Sequence, residues 1–390
     1  MGRFDFTTRP NRLAQDSEKW RKSEEDPDLL QMWVADMDFL PFQELRDAVR
    51  RYADEYVFGY TYASDALYKS IINWEKSEHH YAVEREALVL IEGVVPALSI
   101  AVQALTEVGD AILINTPVYP PFARTVKLNH RTLVTNALVK NNGRFELDLE
   151  QLEKDLVEQD VKLYILCNPH NPGGRVWSRD ELVAIGRLCQ KHEVLLVSDE
   201  IHQDLTLFGH RHHSFNTVAP EFKDFTIILS SATKTFNIAG TKNSFAIIEN
   251  KNLRKRFTRQ QLANNHYEIS TVGLLTTEAA FSHGKPWLEE LKSVLERNID
   301  YVVDYLGKHT AIEVMKPEAT YLVWLDFSAY GLSHEEVQEI LREKARVVLN
   351  DGLTFGKEGR CHARLNVATP FETVREACER IAIAFGQASF

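Results

Sequence analysis

Three short polar runs hold the residue types that can do covalent and acid–base chemistry on a small molecule: NPHNPGG at 168–174, SDEIHQD at 198–204 and SSATKTFNIAG at 230–240. Lys234 sits between hydroxyl residues in the last of these, and an amine there can form an imine with an aldehyde. A free lysine titrates near about 10.4, so burial or a neighbouring charge must depress it before it serves as nucleophile or proton shuttle near neutrality. Taken alone, such a lysine is more often a surface residue or a noncovalent phosphate ligand. A second feature suits anions. Gly93, Val94 and Val95 precede a stretch with Pro96 in its first turn and Ala97, Leu98, Ala101, Val102 and Leu105 along one face. The pattern predicts a helix whose unpaired amides and dipole cradle a phosphate, with hydroxyls of Ser231 and Thr233 as further donors.

These residues need a scaffold. Short apolar or β-branched runs at 87–91, 111–115, 161–167, 194–198, 226–230 and 244–248 alternate with amphipathic stretches, the pattern of helices packed on a mostly parallel sheet. Several runs end in polar or Gly/Pro-rich residues, as expected where an open α/β sheet presents ligand loops at the carboxyl ends of its strands. Ser178 with Glu181 and Ser333 with Glu336 form capping-box patterns. The first opens a helix with an apolar face of Leu182, Ile185, Leu188 and Cys189, the second a helix with Val337, Ile340 and Leu341. A long helix is predicted over about 286–305, strands at 320–326 and 364–368, and a last helix presenting Val374, Cys378, Ile381 and Phe385. The expected units are an N-terminal segment, 1–45, that contributes to a small domain and to the mouth of the site; a large domain, 46–287; and a small C-terminal domain, 288–390.

At 390 residues, two domains are expected, and 44% hydrophobic with 26% charged residues is the composition of a soluble globular chain. A net charge of −11 argues against nucleic acid or anionic membrane as partner. Cys167, Cys189, Cys361 and Cys378 contain no C-x-x-C pair and are read as buried thiols. Residues 1–11 lack the apolar core of a signal peptide and no run approaches a membrane span, so a cytoplasmic location is expected. His210, His212 and His213 lack an i, i+4 pair with an acidic partner, so no metal is expected and the three are read as solvated. The charged stretch 251–259 reads as a solvated helix face.

Together, in this order and spacing, the three polar runs resemble the fold-type-I pyridoxal-phosphate enzymes that include the aspartate aminotransferases. The resemblance implies an α/β fold with a mostly parallel sheet in the large domain, and a Schiff base between the cofactor and Lys234. It implies further that Asp199 pairs with the pyridine nitrogen, Asn171 bonds the ring hydroxyl oxygen, Tyr119 in TPVYPPF stacks on the ring and Arg364 in HARLNVATP grips the substrate α-carboxylate. Tyr60 in FGYTY matches a tyrosine that reaches the phosphate of a neighbouring subunit, which implies a homodimer with active sites at its interface. Two positions depart from the family. His202 stands where many aminotransferases have a tyrosine, and Lys242 stands where they place a phosphate-binding arginine, a point charge in place of a bidentate fork.

Within that superfamily, MWVADMDF at 32–39, FGYTY, PVYPPF, DEIHQD and the lysine loop without its arginine look like the MalY/PatB-like carbon–sulfur lyases, the cystathionine β-lyases. That resemblance places Val34 and Ala35 across the mouth of the site, helping to seat the amino acid. It implies α,β-elimination from L-cystathionine- or L-cysteine-type substrates, giving pyruvate, ammonia and a thiol or hydrogen sulfide, with Lys234 as the base over Cα. A thiol pKa near about 8.5 makes sulfur a leaving group that needs little acid help. The alternatives are an aminotransferase on the same scaffold and, of another class, a noncatalytic regulatory protein that keeps only the fold.

Overall fold

Strands buried on both faces must be apolar almost throughout, and six of the seven in the central sheet are. The computed structural model describes residues 2–24 and 26–386; residue 1, Glu25 and 387–390, which include the outer ends of the expected terminal units, lie outside the described residues. In chain order the sheet comprises β1 (Leu88–Ile91), β2 (Ala111–Thr116), β3 (Thr132–Ala137), β4 (Val161–Cys167), β5 (Leu195–Asp199), β6 (Thr226–Ser230) and β7 (Ser244–Ile247). They lie side by side as β1-β7-β6-β5-β4-β2-β3, with β7 antiparallel to both its neighbours and the remaining pairs parallel. Six strands fall where the apolar runs predict them. The edge strand β3 is absent from the sequence reading because only one of its sides is covered: Val134 and Asn136 are buried while Thr132, Thr135 and Ala137 are exposed, so no apolar run marks it.

A second, four-stranded antiparallel sheet is built from β8 (Glu313–Met315), β9 (Leu322–Asp326), β10 (Asn350–Asp351) and β11 (His362–Asn366), in the order β8-β9-β11-β10. The predicted strand 364–368 begins two residues earlier than expected. Register with β9 sets this, pairing His362 with Asp326 and Arg364 with Trp324, and the Val367 amide bonds Tyr321 O just past the last ladder pair, Asn366 with Leu322. Arg364 is therefore mid-strand. The long helix, Lys285–His309, packs with the last helix, Phe371–Phe385, and both capping boxes are formed. Helix Lys251–Ala263 buries Leu253 and Phe257 and exposes Lys251, Lys255, Arg256 and Arg259, as its charge pattern predicts. Among the described residues no helix is long and apolar enough to cross a membrane.

The segment before helix Gln43–Glu55 is fixed by charge. Asp38, fully buried, accepts from Lys19 Nζ at 2.7 Å, Arg12 Nη1 at 3.0 Å and Trp20 Nε1 at 3.0 Å, and Arg12 also pairs with Asp36 at 2.6 Å. Short backbone pairing of Leu30–Gln31 with Val347–Val348 ties the same segment to the region of the second sheet.

The NPHNPGG turn is held equally closely. Gly174 has φ +64°, and a Cβ placed there would lie 2.3 Å from Pro317 Cβ and 2.8 Å from Ala319 O. Its carbonyl accepts the amides of Glu318 and Ala319, both at 2.9 Å. Gly174→Ala is expected to cost about 2–4 kcal/mol from left-handed strain and overpacking combined, read as a lower urea midpoint with an unchanged slope.

Candidate functional site

Five loops leave the carboxyl ends of β1, β2, β4, β5 and β6, and all five line one cavity of about 720 Å³ that the second sheet and residues 33–35 close from the other side. Lys234 lies in a single helical turn, Ala232–Thr235, that follows β6 and is capped by Ser231 accepting the Thr233 amide. Its Nζ donates to Ala35 O at 2.7 Å and makes no ion pair among the described residues. Burial lowers the amine to about 8, helped by the charge of Arg364 and opposed by Asp36 and Asp199.

Asp199 is the last residue of β5, buried, and accepts one hydrogen bond, from the Ile201 amide at 3.2 Å. Burial raises it to about 7; the Ile201 bond and Lys234 pull it down and Glu200 pushes it up. One turn on, His202 is buried with Nδ1 unpartnered. Burial, with the charges of Lys234 and Arg364, drops its pKa to about 3, so the imidazole is neutral.

Arg364 points from β11 into the same space. It donates to Asn171 Oδ1 at 2.9 Å and Trp33 O at 3.0 Å, its Nε is buried without a partner, and no carboxylate of the described residues pairs with it. Asn171 thus has its amide oxygen engaged, and its backbone carbonyl accepts the Tyr119 amide at 3.1 Å. The Tyr119 hydroxyl is held above the usual phenol range, chiefly by burial. At the other end Gly93, Val94 and Val95 begin helix Val94–Leu105, which carries no side-chain cap, with Thr233 and Lys242 beside them on the wall. Lys242 is exposed and in the left-handed region, φ +60°. Over the opening, Val34 O and Asp36 O each accept from Asn366 Nδ2 at 2.6 Å, and Tyr321 donates its hydroxyl to Ala35 O at 3.0 Å.

Of the fifteen positions singled out in the sequence, thirteen line this cavity and two do not. Ser231 is buried behind it, its hydroxyl bonded to Asn243 O at 2.7 Å and to Thr233 Oγ1 at 2.8 Å. Tyr60 is fully exposed and borders a separate cleft with Tyr62 and Tyr267, so within one chain it does not meet Lys234. Sequence reasoning missed Trp33, Asn350, Glu92 and Glu268 on the wall, and Asn237, Tyr321 and Asn366 behind it. Trp33, Asn237 and Asn366 lay within motifs already quoted; nothing local marks Asn350, Glu92, Glu268 or Tyr321.

Two expectations outside the cavity are corrected. His212 is buried, because the buried Glu200 carboxylate draws its donors from Ser198, the Phe215 amide and His212 at 3.1 Å. Cys361 is only partly buried, whereas Cys167, Cys189 and Cys378 are buried; all four are free thiols. Among the described residues no group of three or more His, Cys, Asp or Glu could hold a metal.

The cavity therefore collects a depressed amine, a carboxylate short of donors, a guanidinium without a carboxylate and an uncapped helix N-terminus. That donor set fits pyridoxal phosphate with an amino acid: aldehyde carbon, ring nitrogen, substrate carboxylate and phosphate in turn. The same groups cost stability when the cavity lacks a ligand. A carboxyl whose folded pKa is raised destabilises the fold progressively from its unfolded pKa of about 4 up to about 7, and by a constant amount above that. In cofactor-free protein, Asp199→Asn is expected to raise the melting temperature by a few °C at pH 8 and to change it little at pH 4; equal shifts at both would contradict the reading.

The Aminotransferase class I and II description matches residues 27–381. The chain is 40% identical to cystathionine β-lyase PatB of Bacillus subtilis over 98% of this chain and 100% of that one. It is 31% identical to protein MalY of Escherichia coli over 88% of each. Among solved structures, cystalysin of Treponema denticola, which contains pyridoxal 5'-phosphate, superposes with TM-score 0.95 at 34% identity over 98% of both chains. The PLP-bound C-S lyase of Staphylococcus hominis superposes with TM-score 0.91 at 31% identity, again over 98% of both. The chain belongs to the class I and II aminotransferase family, on the branch that holds PatB and MalY.

Proposed function

We propose that the protein is a pyridoxal-phosphate-dependent carbon–sulfur β-lyase that cleaves L-cystathionine- or L-cysteine-type substrates to pyruvate, ammonia and a thiol or hydrogen sulfide. The observation that carries this reading is the depressed Lys234 amine sharing one cavity with Asp199 and with Arg364, which no carboxylate of the described residues pairs. When bound, pyridoxal phosphate supplies an aldehyde carbon for the amino group and a ring that takes up the electron pair released at Cα. Asp199 holds the ring nitrogen in its protonated form, Tyr119 covers a ring face, and Asn171 and neutral His202 lie within the set that meets the ring oxygen. Amides 93–95, Thr233 and Lys242 hold the phosphate, Lys242 as a point charge.

Arg364 grips the substrate α-carboxylate, and the strap at Val34 and Ala35 closes over the amino acid and sheds water. Lys234 Nζ takes the α-proton; with a pKa of about 8 it is near the match a general base needs. The thiolate then leaves with little acid assistance. The rest of the organisation belongs to the same proposal: a large domain at 46–287 carrying the cofactor, a small one at 288–390 with 1–45 attached, and a homodimer. The exposed aromatics Phe58, Tyr60 and Tyr62 support the dimer, in which Tyr60 reaches its partner's phosphate site. Four unpaired thiols support a reducing compartment, the cytoplasm.

Supplied with cystathionine or cysteine and no 2-oxo acid, the purified holoprotein is expected to make pyruvate continuously, with Lys234→Ala at least about 10³-fold slower. A single stalled turnover would instead mark a transaminase. Borohydride followed by peptide mass spectrometry should find the pyridoxyl group on Lys234; its absence would defeat the proposal.

A further inference from the structure

Behind the lysine turn, on the side away from the cavity, lies a buried polar cluster centred on Asp204. Its side chain is almost fully enclosed, and it accepts three hydrogen bonds from two separate elements. Thr235 Oγ1 donates to Oδ2 at 2.6 Å, while Trp74 Nε1 at 2.9 Å and His79 Nε2 at 2.7 Å meet Oδ1. Trp74 and His79 belong to helix Asp65–His79, and Thr235 is the residue after Lys234. Burial lowers the His79 pKa, but its bond to Asp204 and the charges of Glu75 and Asp204 outweigh that and raise it to about 9. The imidazole is therefore a cation that balances the Asp204 carboxylate.

The turn that carries Lys234 is too short to fix its own direction. Ala232–Thr235 is a helix of 4 residues, and a single turn gains too few hydrogen bonds to offset the order it imposes. Its ends are held from outside: Ser231 caps the start, and Thr235 is tethered to Asp204 at the finish. Asp204 stands in the loop that leaves β5, the strand that ends at Asp199. One carboxylate thus joins the loop that follows Asp199 to the turn carrying Lys234, against helix Asp65–His79.

We propose that Asp204 is a positioning residue that, through the Thr235 hydroxyl, sets the direction of Lys234 relative to Asp199 for the removal of the α-proton. The inference rests on the functional reading above. A buried charge joined to three donors could instead serve folding alone, so the test separates placement from stability.

Holoenzymes carrying Thr235→Val, Thr235→Ser and, as a stability control far from the cavity, Asp148→Ala are compared with wild type. Asp148 caps helix Leu149–Glu158 through the Gln151 amide, and its loss should lower the melting temperature without touching the site. Thr235→Val keeps the shape and deletes the donor. Its kcat is expected to fall about 10- to 100-fold with KM within about 2-fold, since misplacement of a reacting group by a fraction of an ångström acts on the chemical step. The pH at which the bound cofactor's visible absorbance changes should shift in Thr235→Val and not in Asp148→Ala. Thr235→Ser, which restores the hydroxyl, should return both readings to within about 3-fold of wild type.

The inference is overturned if Thr235→Val retains wild-type kcat, if Thr235→Ser fails to rescue it, or if Asp148→Ala loses kcat in the same proportion to its melting temperature. Wild type that yields no pyridoxyl-Lys234 on borohydride treatment would overturn the functional reading itself, a result readable before any variant is made.

Discussion

A lysine amine enclosed by protein must find an acceptor, and the kind of acceptor decides what the amine can do. Here it is the peptide oxygen of Ala35, at 2.7 Å. A carboxylate in that place would stabilise the ammonium form and hold the pKa up; a neutral carbonyl satisfies the donor while burial goes on lowering it. The site therefore depends on where one backbone oxygen sits. Tyr321 shares that oxygen, Asn366 grips the carbonyls of Val34 and Asp36 on either side, and Asn237 bonds the Met37 amide and the carbonyls of Met37 and Phe39. Contacts from both sheets thus converge on a strap of a few residues.

The far side of that strap is held by charge, and this has a physical logic. Lys19 and Asp38 are both fully buried, a costly arrangement unless every lone pair and proton is engaged. Asp38 has Lys19, Arg12 and Trp20 as donors, the same pattern of three donors on one enclosed carboxylate that recurs at Asp204. An apolar strap would fill the same volume, but apolar packing is non-directional, and a chain segment that must aim a carbonyl to within a fraction of an ångström gains from directional bonds. The two networks flank Lys234, one above its amine and one behind its backbone.

How much of this was legible in the sequence follows from how local each feature is. Strands β1, β2 and β4 to β7 show as apolar runs because both their faces are covered, and the half-covered edge β3 does not. The polar runs at strand ends identify Asn171, Asp199 and Lys234, since each follows an apolar stretch within a few residues. What escaped is set by long-range packing. Asn237, although inside the lysine-loop motif, and Tyr321 matter because the chain returns to the strap from far away, which no local pattern shows. His212 looked like part of a solvated loop because the demand that buries it, the Glu200 carboxylate, is invisible until the loop is folded over it. Ser231 was read as a donor toward the cavity when its hydroxyl is already used by Asn243 and Thr233. Tyr60, fully exposed here, can be judged only against a second chain.

The two departures from the aminotransferase pattern act in one direction. Lys242, exposed and with no partner for its amine among the described residues, would bring charge to the phosphate end but no fixed fork, so directional binding there would fall to the amides at 93–95 and to Thr233. At the ring, His202 with a pKa of about 3 stays neutral through the physiological range and adds no charge beside the proposed ring oxygen. Asp199 would then be the side chain left to govern the ring's protonation, and in the empty cavity burial, with Glu200, outweighs the Ile201 bond and Lys234 and leaves it half-protonated near pH 7. A protonated ring nitrogen against that carboxylate would reverse the balance, since an adjacent cation favours the ionised acid. On the proposed pairing, cofactor and carboxylate would each hold the other in the charged form, and the stability that Asp199 costs the empty fold would reappear as affinity for the cofactor.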